Sequence, residues 1–248
     1  MEEVTSNEKL PWQKQEPIST NILDYIVKFN NVIPIDLCET LIEELSKDGW
    51  QRHKLYDDYG NAIDTKKHEN ISRYGCQQQM YSYLNPDREP CVVAREIIMN
   101  MLDNTAEKWH QSPLIKALNT NPPNQKISQP RFNRYEEGEC MPKHTDFIIS
   151  GIGLSYLSML FALNDSTEYE GGDFVICEDY VVNDFNAGDV LVFPSWIAYP
   201  HLVTPVTKGT RYTGISWIYL TGVGMAGPEP SYYKLRERSI RTGLHAPI

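Results

Sequence analysis

The sequence predicts a mainly β fold, a jelly-roll core of short strands backed by helices from the N-terminal half. Three observations carry this. Past Pro123, short β-like runs follow one another between Gly, Asp and Asn, the pattern of an all-β sandwich or barrel. Ahead of Pro123, two longer stretches hold apolar residues at helical spacing. Helices come first and strands later, which puts the helices behind the sheets and leaves the strands to enclose a cavity.

Residues 1–20 are polar and broken by prolines, and are expected to form a flexible arm. Residues 21–31 alternate apolar and polar side chains (Ile22, Tyr25, Val27, Phe29), as a first strand would. Asp36 and Glu39 have the spacing of a capping box, opening a helix over 36–48 with Leu37, Leu41, Ile42 and Leu45 on its apolar stripe. A second helix is predicted over 90–111, with Val92, Val93, Ile97, Ile98, Met101, Leu102 and Trp109 facing inward. The segment between is polar and tyrosine-rich; Tyr56, Tyr59, Tyr74, Tyr81 and Tyr83 are candidates for a lid or substrate wall.

Strands are predicted over about 129–136, 144–149, 154–163, 173–178, 189–194, 200–206 and 210–220. Turn signals lie at Gly171-Gly172, Ala187-Gly188-Asp189 and Lys208-Gly209. The polar, basic tail suggests a short helix over 232–240. The expected organisation is therefore one domain over 21–248. It comprises helical support and lid (21–125), a β core (126–222) and a C-terminal extension (223–248).

Composition narrows the function. A net charge of −10 and a pI near 5.1 disfavour a dedicated nucleic-acid binder, which needs clustered Lys and Arg. No apolar run is long enough to span a membrane, and the N-terminus does not read as a signal peptide. The five cysteines are scattered, with no Cys-x-x-Cys pair, which argues against a disulfide framework or a structural zinc site and for a cytoplasmic location. Nothing in the sequence fixes an oligomeric state.

The chemistry points to His144, Asp146 and His201. Two imidazoles and one carboxylate are the ligand set of a non-haem iron site, and leave the opposite coordination positions free. In a chain with 6 His and 33 acidic residues, about one His-x-acid pair arises by chance, so its surroundings must carry the reading. On a strand, positions 144 and 146 share a face. Arg211 follows His201 across the Lys208-Gly209 turn, which predicts adjacent antiparallel strands. A ligand chelating the metal by one end would reach Arg211 with a carboxylate at its other end, the pairing a planar guanidinium favours. Asn133 and Tyr135 share one face of the preceding strand and offer an amide and a phenol to the same ligand.

The run RFNRYEEGECMPKHTD (131–146) resembles the start of the catalytic core of iron(II)/2-oxoglutarate dioxygenases. LSMLFALNDSTEYEGGDFVI (157–176) looks like the next pair of core strands. AGDVLVFPSWIAYPHLVTPVTKGTRYTGISWIY (187–219) is similar to the prolyl 4-hydroxylase superfamily, above all to PKHD-type hydroxylases. The resemblance implies a double-stranded β-helix core and Fe(II) held by His144, Asp146 and His201, with no catalytic residue beyond these ligands. It also implies 2-oxoglutarate as cosubstrate with O2, and ascorbate as an optional reductant. Arg211 matches the residue that pairs with the cosubstrate's far carboxylate, Asn133 and Tyr135 match an Asn-x-Tyr pair that contacts it, and Trp217 matches an aromatic position near the pocket. Ala162 departs from the tyrosine that many animal-type prolyl hydroxylases carry there, which shifts the carboxylate's support to Arg211 and Tyr135.

The implied reaction is hydroxylation of an unactivated C–H bond, with release of succinate and CO2. The expected substrate is a prolyl or other side chain in a protein or peptide, with a small molecule as the alternative. A nucleic-acid dealkylase would carry a second arginine where Trp217 stands. The retained triad and Arg211 argue against a silent barrel that only binds a ligand.

Overall fold

The computed structural model describes residues 18–53, 55–56, 62–63, 77–117, 124–148 and 153–221. Most of the expected arm, the C-terminal extension with its helix, and the side chains of Tyr56, Tyr59 and Tyr74 lie outside these residues. In chain order the first half contains β1 (Val27–Phe29), α1 (Ile35–Asp48), β2 (Gln51–Arg52), β3 (Leu55–Tyr56), β4 (Ala62–Ile63), β5 (Gln77–Gln78), β6 (Met80–Ser82), α2 (Glu89–Gln111) and α3 (Pro113–Ala117). Then follow β7 (Gln125–Ile127), β8 (Arg131–Tyr135), β9 (Glu139–His144), β10 (Leu154–Ala162), β11 (Tyr169–Gly171) and β12 (Phe174–Ile176). The last strands are β13 (Tyr180–Val181), β14 (Val190–Pro194), β15 (His201–Val203), β16 (Val206–Gly209) and β17 (Arg211–Leu220).

Two sheets face each other. The larger runs β1-β14-β10-β17-β8-β6-β2, with β7 also on β17, and the smaller runs β13-β12-β15-β9-β5. The period of two along each strand divides the large sheet into a back and a front. From β10, Leu157, Met159 and Phe161 join a core with Cys38, Leu41 and Leu45 of α1 and Ile98 and Leu102 of α2. The alternate residues Leu160 and Ala162 join a second core with Phe174, Ile176 and Val203 of the small sheet. Gly214 shows how tight the back is. It pairs with both Phe132 and Phe161, and a Cβ there would lie 2.0 Å from the Phe161 ring.

This is the jelly-roll expected from the strand pattern, and the double-stranded β-helix that the resemblance implied. Several local expectations change. Residues 21–31 begin with a 3₁₀ turn, Ile22–Tyr25, capped by the Asn21 side chain, before the short β1. Helix α1 opens on the Pro34 carbonyl, so Asp36 lies inside the first turn, accepts from the Leu37 N–H and forms no capping box. On α2 the buried stripe is Cys91, Ala94, Ile98, Leu102 and Trp109. Val93 and Ile97, expected inside, are 48% and 39% exposed. Strand β9 ends at His144, so Asp146 lies just beyond it. The expected hairpin between His201 and Arg211 is not formed, because β15 pairs with β12 and β9 of the small sheet whereas β17 pairs with β10, β8 and β7 of the large one. Cys38, Cys91 and Cys177 are free thiols, but Cys140 is disulfide-bonded, which the scattered cysteines did not lead one to expect. Among the described residues no helix is long and apolar enough to cross a membrane.

Candidate active site

The three residues picked out by sequence meet between the two sheets. His144 ends β9 and stands opposite His201, the first residue of β15. Asp146 reaches the same point from the segment after β9. Their donor atoms all lie within 4.8 Å of one another, a cluster able to hold a metal ion. The Asp146 carboxylate oxygens are 3.6 Å from His144 Nε2 and 3.7 Å from His201 Nε2. Those gaps exceed a hydrogen bond and suit donors to one shared ion with bonds of about 2.0–2.2 Å.

Each ring is oriented by its own backbone. His144 Nδ1 lies 2.8 Å from the Pro142 carbonyl and His201 Nδ1 lies 3.1 Å from the Tyr199 carbonyl. A carbonyl only accepts, so the proton of a neutral ring belongs on Nδ1, and the Nε2 lone pair turns inward. Burial, and then the neighbouring His201, push His144 down to about 4, which keeps that lone pair available near neutral pH. Burial alone would raise the Asp146 carboxyl. The nearby His201 and His144 and the Ser158 hydrogen bond outweigh it and hold the group below its ordinary value. Ser158 Oγ donates to Asp146 Oδ2 at 2.7 Å and is itself 2.8 Å from Ser195 Oγ. The Trp217 indole lies beside the same carboxylate and supports its charge, although its N–H has no well-formed hydrogen bond.

The second half of the site lies on β8 and β17. Arg211 pairs in register with Tyr135, and Thr213 with Asn133. Arg211 is 1% exposed, and its guanidinium carbon lies 5.2 Å from the Tyr135 ring centroid. Burial raises the Tyr135 phenol, only partly offset by Arg211, so it remains a neutral hydroxyl. Gly172 makes room for this arrangement, since a Cβ there would stand 3.1 Å from Arg211 Cδ. Arg211 also borders a cleft of about 160 Å³ that reaches Phe174, whose ring centroid is 5.3 Å from that of His201.

The polar atoms of this wall are unpaired. Arg211 Nε and Nη1, Asn133 Oδ1, Thr213 Oγ1 and Trp217 Nε1 are buried without hydrogen-bond partners. A guanidinium enclosed without an anion is costly, so the cavity fits a ligand that brings a carboxylate to Arg211. The donor set at the triad fits a divalent ion of the iron type. Sequence reasoning named Asn133, Tyr135, Arg211 and Trp217 but missed Ser158 and Thr213. A serine inside the apolar run Leu157–Leu163 was the available signal for Ser158. Of the expected tyrosine wall, Tyr81 and Tyr83 pack edge to face 6.0 Å apart, and Tyr81 pairs with Asn133.

Comparison with known proteins agrees with this geometry. The model of the 2OG-Fe(II) oxygenase superfamily matches residues 130–219. A PKHD-type hydroxylase of Xylella fastidiosa (strain M23) is 31% identical over 170 residues, 62% of this chain and 67% of that protein. One of Burkholderia ambifaria (strain MC40-6) is 35% identical over 119 residues, 42% of this chain and 51% of its own length. The chain thus spans about half to two thirds of these relatives. A prolyl hydroxylase from Trichoplax adhaerens, solved with a hypoxia inducible factor peptide fragment, superposes with a TM-score of 0.56 at 17% identity. That match covers 81% of this chain and 86% of the other, and at such identity it speaks for the fold. The chain belongs to the 2OG-Fe(II) oxygenase superfamily, a family of oxidoreductases, and shares the prolyl hydroxylase fold.

Proposed function

We propose that this chain is an Fe(II)- and 2-oxoglutarate-dependent dioxygenase that hydroxylates an unactivated C–H bond of a prolyl or other side chain in a protein or peptide, releasing succinate and CO2. The observation that carries the reading is the pairing of an open His-Asp-His cluster with a buried Arg211 that lacks an anionic partner. In this reading His144, Asp146 and His201 hold the iron, Arg211 pairs with the far carboxylate of 2-oxoglutarate, and Tyr135 and Asn133 orient it. Bound there, iron and cosubstrate supply the oxidising power that protein side chains lack. The chain's own work is positional. Pro142 and Tyr199 fix the imidazoles, Ser158 keeps the carboxylate turned inward, and Phe174 and Phe193 exclude water beside His201. No residue need act as a general base.

A peptide substrate is supported by the Trichoplax prolyl hydroxylase that was solved with one. A small-molecule substrate is the second reading, favoured by the enclosed, polar wall around Arg211. Ascorbate enters only as an accessory reductant, tested by omitting it. A cytoplasmic location belongs to the same reading; the free thiols support it and the Cys140 disulfide counts against it. The first experiment measures succinate from 2-oxoglutarate in the native chain and in His144→Ala and Asp146→Ala. Native turnover that both substitutions abolish is expected. Equal turnover in all three would sink the assignment.

A further inference from the structure

Arg131 is a second cation at this site, and the proposed reading leaves it without a task. It shares the inner face of β8 with Asn133 and Tyr135 and stands opposite Ile215 of β17. Its guanidinium carbon lies 5.3 Å from the Trp217 ring centroid. Trp217 is in turn the cross-strand partner of Ser158, whose hydroxyl donates to Asp146. The charge of Arg131 acts on His144, Tyr135, Tyr83 and Tyr219. Arg134 makes the contrast. It points to the other face, lies over Trp50 and pairs with Glu136.

No carboxylate answers Arg131 among the described residues, and its buried Nε has no acceptor. The surrounding phenols do not neutralise it. Burial raises Tyr83 and Tyr135 and lifts Tyr219 to about 12. In the proposed function the far carboxylate of the cosubstrate goes to Arg211, not to Arg131. Arg211 faces Tyr135, four residues along β8 from Arg131, so the two backbones stand about 13 Å apart along the strand. In the proposed reading a divalent ion and Arg211 balance Asp146 and a dicarboxylate, which leaves the charge of Arg131 in surplus. A guanidinium held over an indole and short of an anion is placed to take a carboxylate by two hydrogen bonds.

We propose that Arg131 is the substrate-recognition residue, and that the substrate bears a carboxylate held by Arg131 beside Trp217 while its C–H bond faces the triad. This names the substrate class of the proposed function and rests on that reading. The carboxylate belongs either to a small organic acid or to an acidic or C-terminal residue of a peptide.

The test is calorimetry on the full chain loaded with Mn(II) and 2-oxoglutarate. One arm titrates free and N-acylated amino acids and the other short peptides, each probe as the carboxylate and as the amide. Binders should be carboxylates, weakened roughly ten- to hundred-fold as amides and by the same factor in Arg131→Gln. Arg131→Lys should restore part of the loss, and 2-oxoglutarate affinity should be unchanged in Arg131→Gln. The arm that contains the binders identifies the source. Amides binding as tightly, Arg131→Gln binding as the native chain does, or no carboxylate binding at all would overturn the inference alone. A native chain that fails to bind 2-oxoglutarate would overturn the proposed function and this inference with it.

Discussion

On the back of the large sheet, Leu157, Met159, Phe161 and Ile218 pack against α1 and α2 as a continuous apolar layer. On the front, the neighbouring strands β8 and β17 turn Arg131, Asn133, Arg211, Thr213 and Trp217 inward, and each leaves a buried polar atom unpaired. Unpaired buried atoms on the back are scattered, on Trp50, His110 and Arg134, one each in a loop, a helix and a strand. The same strands therefore carry both faces, and alternation along them separates stability from function. Apart from those scattered atoms the back is satisfied by the chain itself, whereas the front gathers its unpaired polar atoms on two neighbouring strands, where the ligand of the proposed function would meet them.

Substitutions on the two faces should fail in different ways. Phe161→Ala opens a cavity against Gly214 and Phe132 on the back, and should lower unfolding stability by about 3–5 kcal/mol in denaturant titration. Its metal and 2-oxoglutarate affinities should change little. A large loss of ligand affinity without loss of stability would break the separation of faces. Arg211→Leu on the front should do the reverse. Removing a buried cation without a partner should leave the ligand-free melting temperature equal or higher, while 2-oxoglutarate binding weakens by about 2–5 kcal/mol in calorimetry. A lowered melting temperature with unaltered binding would make Arg211 a structural residue. Ser158→Ala, on the front face of β10, should cost about ten- to hundred-fold in metal affinity with little change in melting. Unchanged metal affinity would remove Ser158 from the support of Asp146.

Much of this was legible in the sequence because the signals were local. The stripe Leu41–Leu45 fixed α1 to within one residue at its start, and the strand pattern after Pro123 announced the two sheets. The ligand set was carried by its surroundings rather than by residue type, and Arg211 by its spacing from His201 and by the family resemblance, although the hairpin expected between them is not formed. What failed depended on which partner a segment meets. On α2 every candidate stripe was apolar enough, and only packing against the sheet selects Ala94 and Ile98 over Val93 and Ile97. The stretch from His201 to Arg211 reads as one hairpin, yet its strands enter different sheets, a choice that short strands do not encode in their own period. Asp146 was expected on a strand and instead lies past its end, where the segment can bend the carboxylate toward both histidines. Arg131 resembles any surface arginine until Trp217 is seen beneath it.

In the proposed function the triad and Arg211 are two ends of one ligand site. Adding 2-oxoglutarate without oxygen to the Fe(II)-loaded chain tests it most directly, by the visible charge-transfer band of the chelate. The band should form in the native chain and be lost in Arg211→Leu at the same ligand concentration. No band in the native chain, or bands of equal strength in both, would contradict the account.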